Sequence, residues 1–313
     1  MAELVSGHAL GQRRVAARSR GALGVRSRVT TWLAVAPAAL ALLVVVGYVV
    51  ADGVRLSFTD WGGVGAAHWV GADNYRTAAD TPAVRSAILL TLGYATACAL
   101  GMVVIASLLA AAVSARVRGS SLYRIVWFLP SVAPATAVAV FWSTALQPES
   151  GAVNSVLGTL GLGSDHAWLA DPATAIYPVI AVSIWCGVGF AFLLLLGAIE
   201  QIPSTVFDAA RVDGASQPQQ FLLVTLPLIR PVLVVCALLE LIWAANGFAI
   251  VWAMTQGGPG DATQTLPILI YKQAFSFGEY GLAGAMAVLS GVVLMVIGLI
   301  GLRLSRSAQE AAQ

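Results

Sequence analysis

Six stretches of almost unbroken apolar residues divide the chain, and each is long enough for the roughly 20 residues a helix needs to cross a bilayer. They run 30–51, 87–115, 125–146, 173–196, 231–253 and 282–302, and Glu240 is the one charge within any of them. None alternates polar and apolar residues as a half-buried strand would. The pattern predicts an all-α integral membrane protein with six transmembrane helices. The first run follows a basic segment, as a secretory signal does. It exceeds the ~7–15 residues of a signal core and lacks a small-residue cleavage site after it, so it is read as a retained helix.

Composition agrees. Hydrophobic residues make up 58% of the 313 and charged residues only 10%, against about 25% charged in soluble domains. Mean hydropathy is +0.84. Cys98, Cys186 and Cys236 all fall within apolar runs, scattered too widely for a metal site or a disulfide framework. They read as small packing residues.

The net charge of +2 conceals an asymmetry. Arg13, Arg14, Arg18, Arg20, Arg26 and Arg28 precede the first run. Arg116, Arg118 and Arg124 lie between the second and third, Arg211 and Arg230 between the fourth and fifth, and Arg303 and Arg306 after the sixth. The opposite side carries Arg55, Arg76, Arg85 and Lys272. Because positive loops stay inside, both termini are expected in the cytoplasm. The expected plan is a basic cytoplasmic tail at 1–29, a first span at 30–51 and an extracellular loop at 52–85. A transmembrane core at 86–302 and a cytoplasmic tail at 303–313 follow.

One inner loop, 200–227, carries more structure than a connection needs. Thr205 with Asp208 has capping-box spacing, and Asp208 would favour a helix N-terminus. Gly214 suits the left-handed residue that ends a helix. Ser216 with Gln219 offers a second capping box, and Pro218 is tolerated in a first turn. Small Ala209, Ala210 and Ala215 let another surface approach closely. The elbow reads as a docking element.

The spacing Asp208-Ala209-Ala210, three residues, Gly214, nine residues, Val224, one residue, Leu226-Pro227 resembles the EAA loop of ABC importer permeases, with Asp for Glu and Val for Ile. Further blocks resemble carbohydrate permeases: Ser57-Phe-Thr-Asp-Trp61, 70–75, Phe128-Leu-Pro130 with Pro134 and Trp142, and Gly151-Ala-Val-Asn154. Met254-Thr-Gln-Gly-Gly-Pro259 with Thr263, Tyr271 and Ala274-Phe275 resembles the branch of the larger maltose permease subunit and the first glycerol-phosphate permease. Departures at Val50-Ala51 and Phe248-Ala249 bear on substrate identity. The resemblance implies a type I ABC importer permease fold in a prokaryotic cytoplasmic membrane. The implied partners are a sister permease, two ATP-binding subunits that dock on the EAA loop and hold ATP and magnesium, and an extracellular sugar-binding protein. No nucleic acid is implied.

The chain has no Gly-x-x-x-x-Gly-Lys-Ser/Thr loop, so ATP hydrolysis by a P-loop must come from another polypeptide. An intramembrane acid is expensive and should face protein or water. Glu240 therefore has two readings. In one, the helical face it shares with Ala244 and Gly247 lines the pathway, Glu240 and Asn246 bond sugar hydroxyls, and Trp243 or Trp252 stacks on a pyranose. In the other, Glu240 only holds helices together. The sixth run carries a small-residue stripe, Ala283, Ala287 and Gly291, suited to close helix contact. The alternative function, an ion-gradient-driven secondary transporter, predicts internal repeats and several intramembrane ionisable residues. An intramembrane enzyme would need a catalytic set in the spans, and His8, His68 and His166 all lie outside them.

Overall fold

The computed structural model describes residues 32–114, 120–163 and 165–310. The basic tail at 1–29, Arg116 and Arg118 lie outside them. Among the described residues the chain is helical, with a single isolated β-bridge, Thr59 to Trp69. Five helices are long and apolar enough to cross a membrane, or six if one bent pair counts as a span.

The chain divides into two compact units, 1–55 and 56–313. The first contains nearly all of helix α1 (Trp32–Leu56), which extends past the expected end at Ala51. Its first charges, Asp52 and Arg55, pair at 2.8 Å.

The second unit is built on three packed helices: α3 (Pro82–Ser114), α7 (Ile176–Glu200) and, after the inner loop, the helix Leu226–Ala245. Cys98, Ala106, Ala110, Phe192, Leu195 and Cys236 are among the side chains sealed between them. Small residues set the approach. A Cβ on Gly101 would lie 2.4 Å from Ile184, and one on Gly187 would lie 2.4 Å from Met102.

The third apolar run is not a single helix. It comprises α4 (Ser120–Val132) and α5 (Ala135–Ala145), bent by 94° at the break. Pro134 sits at the N-cap of α5; its missing N–H cannot continue α4 and its ring disfavours helical backbone just before it. The apolar run is continuous across the break, so hydropathy alone could not reveal it. The fifth run is divided likewise. Its helix ends at Ala245, the chain turns at Asn246–Phe248, and a short helix restarts at Ala249.

Motifs in the connecting loops knit those loops together. Phe58 stacks on Trp69 at 5.3 Å, Ser57 Oγ meets Tyr75 Oη at 2.6 Å, and Asn74 Nδ2, on α2 (Asp73–Asp80), donates to the carbonyls of Ser57 and Thr59. Asn154, on α6 (Ala152–Thr159), is buried and donates to the carbonyls of Pro148 and His166 while accepting from Trp168 Nε1. One amide side chain thus ties the whole 148–168 loop. Gly281 lets the last helix meet the first loop: a Cβ there would lie 1.9 Å from the Thr59 carbonyl oxygen. Gly281→Val should therefore overpack that junction by about 1–3 kcal/mol, seen as a lower thermal midpoint in detergent. An unchanged midpoint would contradict this packing.

Candidate functional site: the inner elbow and the outer aromatic face

The inner loop forms a hydrogen-bonded elbow. Its first arm is α8 (Ser204–Val212). Thr205 does not cap it, contrary to the capping-box expectation. The N-cap is Pro203, with no side-chain cap bond, and no acid lies in the first turn. Pro203 fixes its own φ, which pre-sets entry to the helix without a capping hydroxyl. Asp208 sits further along and pairs with Arg211 at 2.8 Å.

The end of α8 is as expected. Gly214 adopts φ +80, its N–H donates to the Arg211 carbonyl, and the Ala215 N–H donates to the Ala210 carbonyl. This is the two-bond Schellman closure, in which a left-handed glycine satisfies the last carbonyls. The second arm begins at once with α9 (Gln217–Gln219). The Ser216 N–H donates to Gln219 Oε1 at 2.8 Å, Pro218 lies in the first turn, and buried Gln220 donates back to the Ala215 carbonyl.

A π-helical segment, Gln220–Thr225, joins this arm to α10 (Leu226–Ala245). The wider turn accommodates Pro227, which lacks an N–H to offer the preceding turn. The Leu226-Pro227 pair therefore marks where the elbow becomes a span. Asp208, Ala209, Arg211 and Gly214 are exposed on the elbow, and Ala210 is half-buried. Val212, absent from the sequence-based candidates, is 88% exposed.

Of the pathway candidates, the structure separates Glu240 from Trp243. Glu240 is 2% exposed, with Oε1 lacking a partner, whereas Trp243 is 52% exposed and packs its ring 4.9 Å from Phe190. Asn246 ends α10 and donates to the Ile242 carbonyl, and Gly247 follows it in the break. Beyond the break, α11 (Ala249–Thr255) carries Trp252. Trp252 stacks on Phe248 at 5.4 Å and meets Tyr271 at 4.6 Å. Tyr271 ends α12 (Leu266–Tyr271), and a π-helical turn, Lys272–Ser276, adds Phe275. Tyr280, at the start of α13 (Tyr280–Glu310), joins Phe275 to Trp61. Six rings from three separate segments form one continuous array. Trp61, Phe248, Tyr271 and Phe275 stand in the motif blocks of the sequence, but of the six rings only Trp252 was read as a sugar platform, because residues this far apart share no periodicity.

Along α13, Ala283 is buried while Ala287 and Gly291 are exposed, so the small stripe is only partly used within the chain. No group of three or more metal-ligating side chains is present among the described residues.

Bent and broken apolar helices around a packed triad, with a structured elbow between two spans, define a multi-pass membrane protein. The chain belongs to the binding-protein-dependent transport system inner membrane component family, whose model matches residues 102–308. It is 30% identical over 290 residues to the "Probable ABC transporter permease protein YurN" of Bacillus subtilis, covering 91% of this chain and 99% of that one. It is 29% identical over 256 residues to the multiple sugar-binding transport system permease protein MsmF of Streptococcus mutans, covering 82% and 88%. Its fold matches a chain of a bacterial alginate ABC transporter with a TM-score of 0.78 at 24% identity, covering 91% and 97%.

Gly214→Val should strain the left-handed closure by about 1–2 kcal/mol without touching the span packing. Relative to α3 and α7, amide exchange should quicken most across 208–216. Unaltered exchange there would show that the closure does not hold the elbow.

Proposed function

We propose that this chain is one permease subunit of a sugar importer of the cytoplasmic membrane, with its elbow docked on a separate ATP-binding subunit. The observation that carries this reading is the Schellman-closed elbow, which presents Asp208, Ala209, Arg211 and Val212 outward in a member of this transport family. The arginine asymmetry supports an inward-facing elbow. The multiple-sugar transport role in the name of MsmF supports a carbohydrate substrate. A sister permease completes the pathway, two ATP-binding subunits bind ATP and magnesium, and an extracellular binding protein delivers the sugar.

Within the pathway, Trp243 offers a ring platform, with Asn246 and Gly247 at the break beside it, and the Phe248–Trp252–Tyr271 rings continue towards the outer loops. Sugars take an apolar ring face together with a few placed polar groups. Glu240 stands behind this wall.

The test is reconstitution of the complete complex in lipid nanodiscs with its ATPase and binding protein. Sugar-loaded binding protein should stimulate ATP hydrolysis, and Gly214→Trp combined with Asp208→Arg should abolish that stimulation although all subunits co-purify. A chain that neither recruits an ATPase nor alters its turnover would overturn the reading in favour of a gradient-driven transporter. In the same system Trp243→Ala should raise the half-saturating sugar concentration for uptake about threefold to tenfold. Uptake unchanged in the assembled Trp243→Ala complex would remove that ring from the pathway.

A further inference from the structure

The helix that leads into the elbow is tied to α4 at three levels. Near the bend, Ser131 Oγ donates to the Cys186 carbonyl at 2.6 Å. Next, Gly189 lets the two backbones touch: a Cβ there would lie 2.5 Å from the Trp127 carbonyl oxygen and 2.9 Å from Phe128 Cα. Towards the elbow, Arg124 Nη2 donates to Glu200 Oε1. Glu200 is the last residue of α7, and the short turn after it carries backbone bonds: Gln201 N–H to the Ala198 carbonyl, Ile202 N–H to Ile199, and Val206 N–H to Pro203. No slack chain separates Glu200 from α8.

The first two contacts are part-buried and involve backbone atoms of α7 or α4. The third differs in kind. Both side chains are partly exposed, at 39% and 45%. Arg124 grips with Nη2, while its Nε is buried without a partner. A partly solvated pair of this sort adds little to stability, yet it fixes where the start of α4 lies relative to the elbow. At its other end α4 turns through 94° into α5, and α5 packs on α11, which carries Trp252.

We propose that Arg124 and Glu200 are a positioning pair that makes α4 follow the elbow, so that displacement of α8 reaches α5 and the wall at α11. Neither residue touches sugar or nucleotide. The proposal rests on the importer reading, because it requires an ATPase pushing on α8. It assigns a role to a contact between residues far apart in the chain.

The experiment uses the complete nanodisc complex and compares Arg124→Glu, Glu200→Arg and the double swap. Wild type must first show ATP hydrolysis stimulated by sugar-loaded binding protein; if it does not, the importer reading itself fails, independently of this pair. The expected result is that each single reversal assembles and keeps basal hydrolysis. Each should lower the sugar transported per ATP at least about fivefold. The double swap should restore the ratio to within about twofold of wild type, as expected for a direct pair. Single reversals that transport normally, or a double swap that assembles without rescue, overturn the proposal. If the reversals do not assemble, Arg124→Gln and Glu200→Gln replace them, and a lowered transport-to-hydrolysis ratio is again the supporting result. Neutral variants that also fail to assemble, or that transport normally, would make the contact a structural tie or an idle one, and either overturns it.

Discussion

Backbone N–H and C=O groups in hydrocarbon have no water to bond, so each must be satisfied within the protein. That constraint makes the chain helical, and it governs every place where a helix stops. At the α4–α5 bend, Pro134 brings no N–H, the Ala133 N–H reaches back to Pro130, and the Val138 N–H closes on Pro134. At the α10–α11 break, the Asn246 and Gly247 N–H groups turn back to Ile242 and Ala244. Where α12 begins, the Leu266 N–H donates to Thr91 Oγ1 of α3, and that hydroxyl itself donates to the Ala87 carbonyl. A span therefore helps to start a helix 175 residues further along the chain.

In the loop motifs burial removes water as hydrocarbon does in the spans, so the buried Asn154, Thr263 and Gln264 side chains are bonded too. Thr255 and Thr263 meet at 2.6 Å, and Thr263 also bonds the Gly258 carbonyl, closing the Gly-Gly-Pro loop on itself. Lys272 Nζ, on the helical turn beyond, donates to Gln264 Oε1 at 2.7 Å. Asn154 performs the equivalent task for the loop between the third and fourth spans. These polar residues serve backbone groups and one another, which fixes the platforms on which the aromatic array stands.

The apolar runs made the spans legible because lipid demands continuous hydrophobicity. That signal says nothing about direction, so Pro134 could bend the third span by 94° and Asn246 could break the fifth within runs that look unbroken. In the elbow, Gly214 and the Ser216–Gln219 pair were legible because their chemistry is local and specific. Thr205 misled because a hydroxyl with an acid three residues on matches the spacing of a cap, while Pro203 had already set the helix start. The six-ring array and the Arg124–Glu200 contact were not legible. They join distant segments, and only packing of the whole unit brings their members together. Glu240 was legible as the one intramembrane acid, but its burial behind exposed Trp243 depends on how α10 turns against its neighbours.

The elbow's stiffness follows from its two attachments. On one side, bonded turns run from α7 through Pro203 into α8. On the other, α9, the π-helical turn and α10 form one uninterrupted apolar element, Gln217–Ala245. A force on Val212 and its neighbours cannot be absorbed by a floppy connection, so it must displace whole helices or bend the glycine closure. The closure at Gly214 is held by two backbone bonds, and its left-handed geometry is comfortable only for that residue. Displacement therefore passes into α7 and α10, which are packed on each other and on α3. The bent α4–α5 span is continuous with neither arm, so side-chain and backbone contacts to α7 are what carry it along. An elbow held at both ends by continuous helices, α7 and α10, leaves the breaks of the fold at 133–134 and 246–248, away from the elbow.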